Sequence, residues 1–154
     1  MEIRDLLSPD SVIANLRVTS KKQALQELAG AVSRLTDLDE RAVFDVLMER
    51  EKLGTTGVGN GIAIPHGKLP GLDKLYGMFA RMEKPIDFQA IDEHPVDLIF
   101  LLLAPESAGA DHLKALARVS RLLRDRATCD KLRGTDDAEA LYAILSNSAD
   151  VQAA

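Results

Sequence analysis

The 154-residue sequence predicts an α/β fold, a largely parallel sheet with helices on both faces, and three observations lead there. The unbroken apolar run Leu98 to Ala104, inside an expected strand Val96 to Ala104, has no polar face and therefore needs cover on both sides. Short apolar segments alternate along the chain with segments of helical period. Hydrophobic residues make up 46% and charged residues 28%, which is enough apolar surface for one packed core and argues against disorder. A chain of this size buries roughly 70% of its unfolded surface without staples.

The elements follow in order. The first dozen residues show no period; Val12-Ile13-Ala14 and Leu16-Arg17-Val18 mark a first strand. Ser20 opens a helix as N-cap, with Gln23 three residues on completing a capping-box pattern, and Leu25, Leu28, Ala29, Val32 and Leu35 form its apolar face. A second helix runs from about Asp39 to Leu53, with Val43, Val46 and Leu47 inward and Gly54 as its stop. The glycine-rich stretch Gly54 to Gly61 leads into a short buried strand, Ile62-Ala63-Ile64, ended by Pro65. Leu75 to Met82 reads as a strand, Val96 to Ala104 as the central one, ended by Pro105. Asp111 is the expected N-cap of a helix with Leu113, Leu116, Ala117 and Leu123 inward. A short helical piece near Thr128 to Leu132 stops at Gly134, and Thr135 caps a last helix through Ala138, Leu141, Tyr142 and Leu145. Residues 5–146 read as one domain, with 147–154 as a short tail.

Charge and composition exclude several functions. With 19 basic and 24 acidic side chains the net charge is −5, so nothing here attracts nucleic acid or an anionic membrane. The single cysteine, Cys129, excludes an internal disulfide and a thiolate metal cluster, and reads as structural or inert. The N-terminus is charged from its second residue, unlike a signal peptide, and the longest apolar run is far too short to cross a bilayer of about 30 Å. A cytoplasmic location without membrane insertion is expected.

The chemistry gathers at histidines. Gly57-Val58-Gly59-Asn60-Gly61 does not fit a dinucleotide fingerprint, because the glycine spacing is wrong and the segment precedes a strand. No phosphate-binding Gly-Lys-Ser/Thr loop is present, and Ser107 lacks the glycine of a nucleophile elbow. His94, in Glu93-His94-Pro95, reads as an exposed turn residue. His66 directly follows the expected strand, between Pro65, which fixes the backbone, and Gly67, which permits close approach. His112 lies in the first turn of a helix beyond the central strand, where the helix dipole disfavours an imidazolium. A neutral imidazole can attack phosphorus, provided that the oxygens are neutralised by a second imidazole, an arginine or backbone N–H groups. The chain offers His66, His112, Arg50 and the glycine turn for those parts. A metal site from His66, His94 and His112, which lacks short ligand spacing, and acid–base chemistry without a visibly paired carboxylate remain open at this point.

The stretch Arg50-Glu-Lys-Leu-Gly-Thr-Thr-Gly-Val-Gly-Asn-Gly-Ile-Ala-Ile-Pro-His-Gly-Lys-Leu69 resembles the signature of the IIA proteins of the bacterial phosphotransferase system, mannitol/fructose type. Ser20 to Leu25, Pro85 to Phe88, Ala90 to Asp92, Pro95 to Leu98 and His112-Leu113 support it, and Gly59-Asn60-Gly61 with Gly67-Lys68-Leu69 is similar to the nitrogen-regulatory branch. The resemblance implies a mixed, mostly parallel sheet sandwiched between helices. It implies a stoichiometric phosphoryl carrier: His66 phosphorylated on its Nε2 (tele) nitrogen, His112 bonding the phosphoryl group, Arg50 at the rim, and Gly57, Gly59, Asn60, Gly61 and Gly67 lending backbone. The donor would be a histidine phosphocarrier protein charged from phosphoenolpyruvate, with no metal or organic cofactor in the transfer. Partners would be regulatory targets, among them potassium-transport machinery or sensor kinases; the alternative is a sugar-specific IIA passing phosphate to a separate IIB. Val58, Ile64 and Leu69 are expected around the docking surface, Ile64 also fitting the core.

Overall fold

The computed structural model describes residues 2–153, with side-chain surroundings given through residue 147. The chain opens with one helical turn, α1 (Ile3–Leu6), and a 3-10 turn, Pro9–Ser11, then enters strand β1 (Val12–Leu16). Helices α2 (Lys21–Thr36) and α3 (Glu40–Lys52) follow, then short strands β2 (Gly57–Gly59), β3 (Ile62–Ala63) and β4 (His66–Leu69). The long strands β5 (Tyr76–Ile86) and β6 (Val96–Pro105) come next, and α4 (Ala110–Arg124), α5 (Arg126–Arg133) and α6 (Ala138–Ala153) close the chain.

One six-stranded sheet runs in the order β1-β5-β6-β3-β2, with β4 also pairing with β6. The sheet is mixed: β1–β5, β3–β6 and β4–β6 are parallel, whereas β5–β6 and β2–β3 are antiparallel. The apolar run of β6 is covered on both faces, as its sequence requires. Ile99, Leu101 and Leu103 pack with Leu25, Leu28, Val32, Val43 and Leu47 from α2 and α3. Leu98, Phe100 and Leu102 point the other way, to Ala115, Val119, Leu132 and Leu141 from α4, α5 and α6. This alternation by two is the strand period itself.

Several local readings change. The capping box at α2 is displaced by one residue: Ser20 Oγ accepts from the Gln23 N–H at 3.1 Å, but Gln23 Oε1 accepts from the backbone N–H of Thr19 at 2.8 Å. Leu35, expected inward, lies 44% exposed at the last turn of α2. The N-cap of α4 is Gly109, with φ of 51°, so Asp111 sits inside the first turn, where its charge still suits the helix dipole. Leu113 is 69% exposed, because the buried stripe of α4 is His112, Ala115, Val119, Leu122 and Leu123. Asp137 takes the capping place expected of Thr135: its carboxylate accepts from the Ala140 N–H at 3.1 Å. The segment 147–153, expected as tail, is a backbone continuation of α6. Cys129 is buried and donates to the Leu123 carbonyl at 3.2 Å, in keeping with a structural part.

The glycine-rich stretch is a hairpin. Asn60 and Gly61 have φ of 58° and 80°, the left-handed conformation that an Asn-Gly turn between paired strands uses. Among the described residues no helix is long and apolar enough to cross a membrane.

Candidate active site at the β4 edge

His66 is the first residue of β4, not a loop residue, and pairs with Leu102 of β6. Alternation along β4 turns Gly67 toward α3, so His66 and Lys68 face the α4 side. A Cβ on Gly67 would overlap Cγ1 of Val46 in α3, and the missing side chain therefore lets α3 lie close against β4. That approach brings Arg50, in the last turn of α3, to the histidine.

Two hydrogen bonds fix the ring. Nδ1 of His66 lies 2.8 Å from the Ile64 carbonyl oxygen, which can only accept, so Nδ1 carries the proton. On the other side, Nε of Arg50 donates to Nε2 at 3.3 Å, and an arginine can only donate, so Nε2 holds the lone pair. Both constraints select the same neutral tautomer. Arg50 is itself held by a bond from its Nη1 to the Gly54 carbonyl at 2.8 Å. Burial pushes the His66 pKa below its ordinary 6.5; the Ile64 carbonyl and Glu51 oppose this, and the Arg50 charge adds to it.

His112, third residue of α4, is buried and presents its ring edge-on to that of His66, with centroids 5.7 Å apart and planes at 71°. Its pKa is also lowered, first by burial, then by the charges of His66 and Lys68. Nε2 of His112 is buried without a hydrogen-bond partner among the described residues. Such an orphan atom calls for a partner that the folded chain does not itself supply. The His66 lone pair thus lies under the Arg50 guanidinium and beside the His112 ring, with the Lys68 charge acting on His112. This arrangement can act as a nucleophile toward an electrophile bearing negative oxygens.

The structure brings together His66, His112, Arg50 and Gly67, but not the rest of the expected set. Ile62 pairs with Leu98 while His66 pairs with Leu102, so the Asn60-Gly61 turn lies four residues along β6, about 13 Å from the histidine at ~3.3 Å per residue. There the Asn60 N–H is taken by Asp92 at 2.9 Å, and the Asn60 carbonyl by Arg133 at 2.7 Å. Gly59 flanks the same turn, and Gly57 packs against Ala90, with its N–H bonded to Thr55 Oγ1 at 3.0 Å. Gly57, Gly59, Asn60 and Gly61 therefore build the hairpin instead of lining the imidazoles. His94 is an exposed loop residue, and among the described residues no three His, Cys, Asp or Glu side chains are grouped to hold a metal. Ile64 and Leu69 are buried; Val58 is exposed, and Leu53, three residues after Arg50, and Leu113, next to His112, are 86% and 69% exposed.

Sequence reasoning missed Lys68, Glu51 and Lys21. Lys68 was findable as the residue two places after His66, had β4 been recognised. Glu51 and Lys21 come together only in the tertiary structure.

Residues 5–148 match the family model for the phosphoenolpyruvate-dependent sugar phosphotransferase system, EIIA 2. The chain belongs to this EIIA type 2 family. Among curated EIIA relatives, a nitrogen regulatory protein of Bradyrhizobium diazoefficiens is 62% identical over 146 residues, covering 95% of each chain. A nitrogen regulatory protein of Pseudomonas aeruginosa is 40% identical, covering 94% of this chain and 95% of its own length. The crystal structure of the nitrogen regulatory protein IIA-Ntr from Neisseria meningitidis superposes with a TM-score of 0.87 at 37% identity, covering 93% of this chain and 98% of that one. The EIIA fold and the mixed sheet between helices agree with what the sequence predicted.

Proposed function

We propose that His66 accepts a phosphoryl group on Nε2 from the phosphohistidine of a carrier protein, and that its phosphorylation state regulates target proteins in the cytoplasm, as the names of the nitrogen-regulatory relatives suggest. Potassium-transport machinery and sensor kinases are the targets to try first. The observation that carries this reading is the double constraint on the His66 ring, Nδ1 to the Ile64 carbonyl and Nε2 facing Arg50.

The step balances without an outside base. The Nε2 lone pair attacks phosphorus, the phosphorus–nitrogen bond to the carrier ring breaks, and the carrier imidazole leaves with that electron pair, neutral because its other nitrogen is protonated. His66 keeps its Nδ1 proton on the Ile64 carbonyl throughout. The Arg50 guanidinium and the unpartnered Nε2 of His112 would bond the transferred oxygens, and Lys68 would offset their charge; the closeness of Arg50 and His112 to the His66 ring supports this reading. Phosphorylation adds close to two negative charges at neutral pH. A partner docking over the exposed Leu53 and Leu113 in the unmodified state would then lose affinity by having to desolvate that charge.

The test is intact mass after incubation with phosphoenolpyruvate, enzyme I and the carrier, beside His66→Ala. One added phosphoryl group, acid-labile and absent from the variant, is expected; labelling that persists without His66 would refute the assignment.

A further inference from the structure

We infer that Glu51, held by Lys21, is a positioning residue that fixes the Nδ1 side of the His66 ring and so, together with Arg50, its tautomer and orientation, acting through a hydrogen-bonded chain from Glu51 to Thr56 to Ile64 to His66; the inference rests on the proposed use of Nε2. The Thr56 N–H lies 3.1 and 2.9 Å from the two carboxylate oxygens of Glu51. The Thr56 carbonyl accepts from the Ile64 N–H at 3.0 Å. The Ile64 carbonyl in turn accepts the Nδ1 proton of His66 at 2.8 Å. Thr56 and Ile64 are thus each pinned through their own N–H and pin the next residue through their carbonyl. The same loop carries Gly54, whose carbonyl holds Arg50.

The charges behind the chain are costly for a purely structural device. Lys21 Nζ lies 3.0 Å from Glu51 Oε1, with the two side chains 15% and 3% exposed. An ion pair this buried is poor value for stability, since apolar residues of similar size often do as well. Each partner also stands at the wrong end of its helix: Lys21 is the first residue of α2, and Glu51 lies in the last turn of α3. Lys21 also caps the ring face of Phe88, its Nζ 4.9 Å from the centroid, which holds the ammonium in place beside Glu51. What the pair achieves is a fixed anion at the Thr56 N–H, and through it a fixed Ile64 carbonyl facing His66.

The experiment is ¹⁵N NMR of the His66 ring at a pH above its titration, in the full chain, for the native protein, Glu51→Gln and the double variant Lys21→Met/Glu51→Met, with Tm read alongside. Glu51→Gln weakens the acceptor and strands Lys21; the double variant removes both charges, keeps the volume and protects the fold. The Nε2–H tautomer is expected to rise several-fold in Glu51→Gln and on the order of tenfold in the double variant, about the equilibrium worth of one modest hydrogen bond. Tm should move in the opposite order. An unchanged tautomer ratio in the folded double variant would overturn the inference and leave the pair structural. The ring spectrum needs no phosphoryl donor, so failure of the native protein to take up phosphate refutes the proposed function separately.

Discussion

The Arg50 guanidinium stands on the lone pair of His66: Nε donates to Nε2 at 3.3 Å. If His66 is the phosphoryl acceptor, the cation that would stabilise the transferred oxygens also covers its lone pair at rest and would have to yield as phosphorus arrives. Arg50→Met uncovers the ring but removes the charge. Loss of transition-state stabilisation should win, slowing phosphoryl uptake by roughly 10²-fold, the usual worth of one such donor. The same variant should raise the His66 pKa, because the Arg50 charge holds it down. Quenched-flow uptake and an NMR titration check the two halves.

Acid should weaken both uptake and fold. His66 and His112 have pKa values below their ordinary 6.5 in the folded state, so the unfolded chain binds more protons in the interval below it. Stability is complete above pH 6.5 and is lost progressively as the pH falls through the depressed folded values. Denaturant melts between pH 7.5 and 5, interpreted on these shifts, should show a slope that shrinks in His112→Gln.

Gly67→Ala sets a methyl against Val46 Cγ1 in α3. Overpacking of this kind costs about 1–3 kcal/mol and pushes Arg50 away from His66. Val46→Ala in the same chain should restore most of the stability and the uptake rate together. Recovery of neither would mean that the α3–β4 approach is not what Gly67 serves.

Gly61→Ala separates the hairpin from the histidines. Gly61 has φ of 80°, and its Cβ would come within 2.6 Å of Arg133 and 2.7 Å of Asp97. A cost of roughly 1–3 kcal/mol is expected from strain and overlap together. The uptake rate measured below the melting range should stay near native, because the turn lies on the order of 13 Å from the ring along β6.

The fold was legible wherever one period runs long enough. The apolar run of β6 announced a doubly covered strand, α2 and α3 showed themselves by caps and spacing, α5 by its glycine stop, and α6 by spacing alone, its cap lying two residues past the expected Thr135. The failures have physical reasons. Four-residue α1 is too short for a period and is held by burial of Ile3 and Leu6. In α4 the apolar stripe was misplaced by one residue, because a histidine occupies a core-facing position and a polarity pattern cannot admit one there; His112, Ala115, Val119 and Leu122 are nonetheless spaced as one helix face. The Asn60-Gly61 pair is a strong hairpin signal, obscured by the glycines around it. At the site, His66 and His112 could be picked out by place in the chain. The contact of Arg50 with His66 depends on how α3 packs on β4, and the Lys21–Glu51 pair on how α2 packs on α3, which no local pattern encodes.

The most direct measurement is the ring ¹⁵N spectrum of the phosphorylated protein, with phosphorus coupling resolved. The account predicts one phosphorylated histidine, His66, with phosphorus on Nε2 and the proton retained on Nδ1. Phosphorus on Nδ1, or on another histidine, would contradict it.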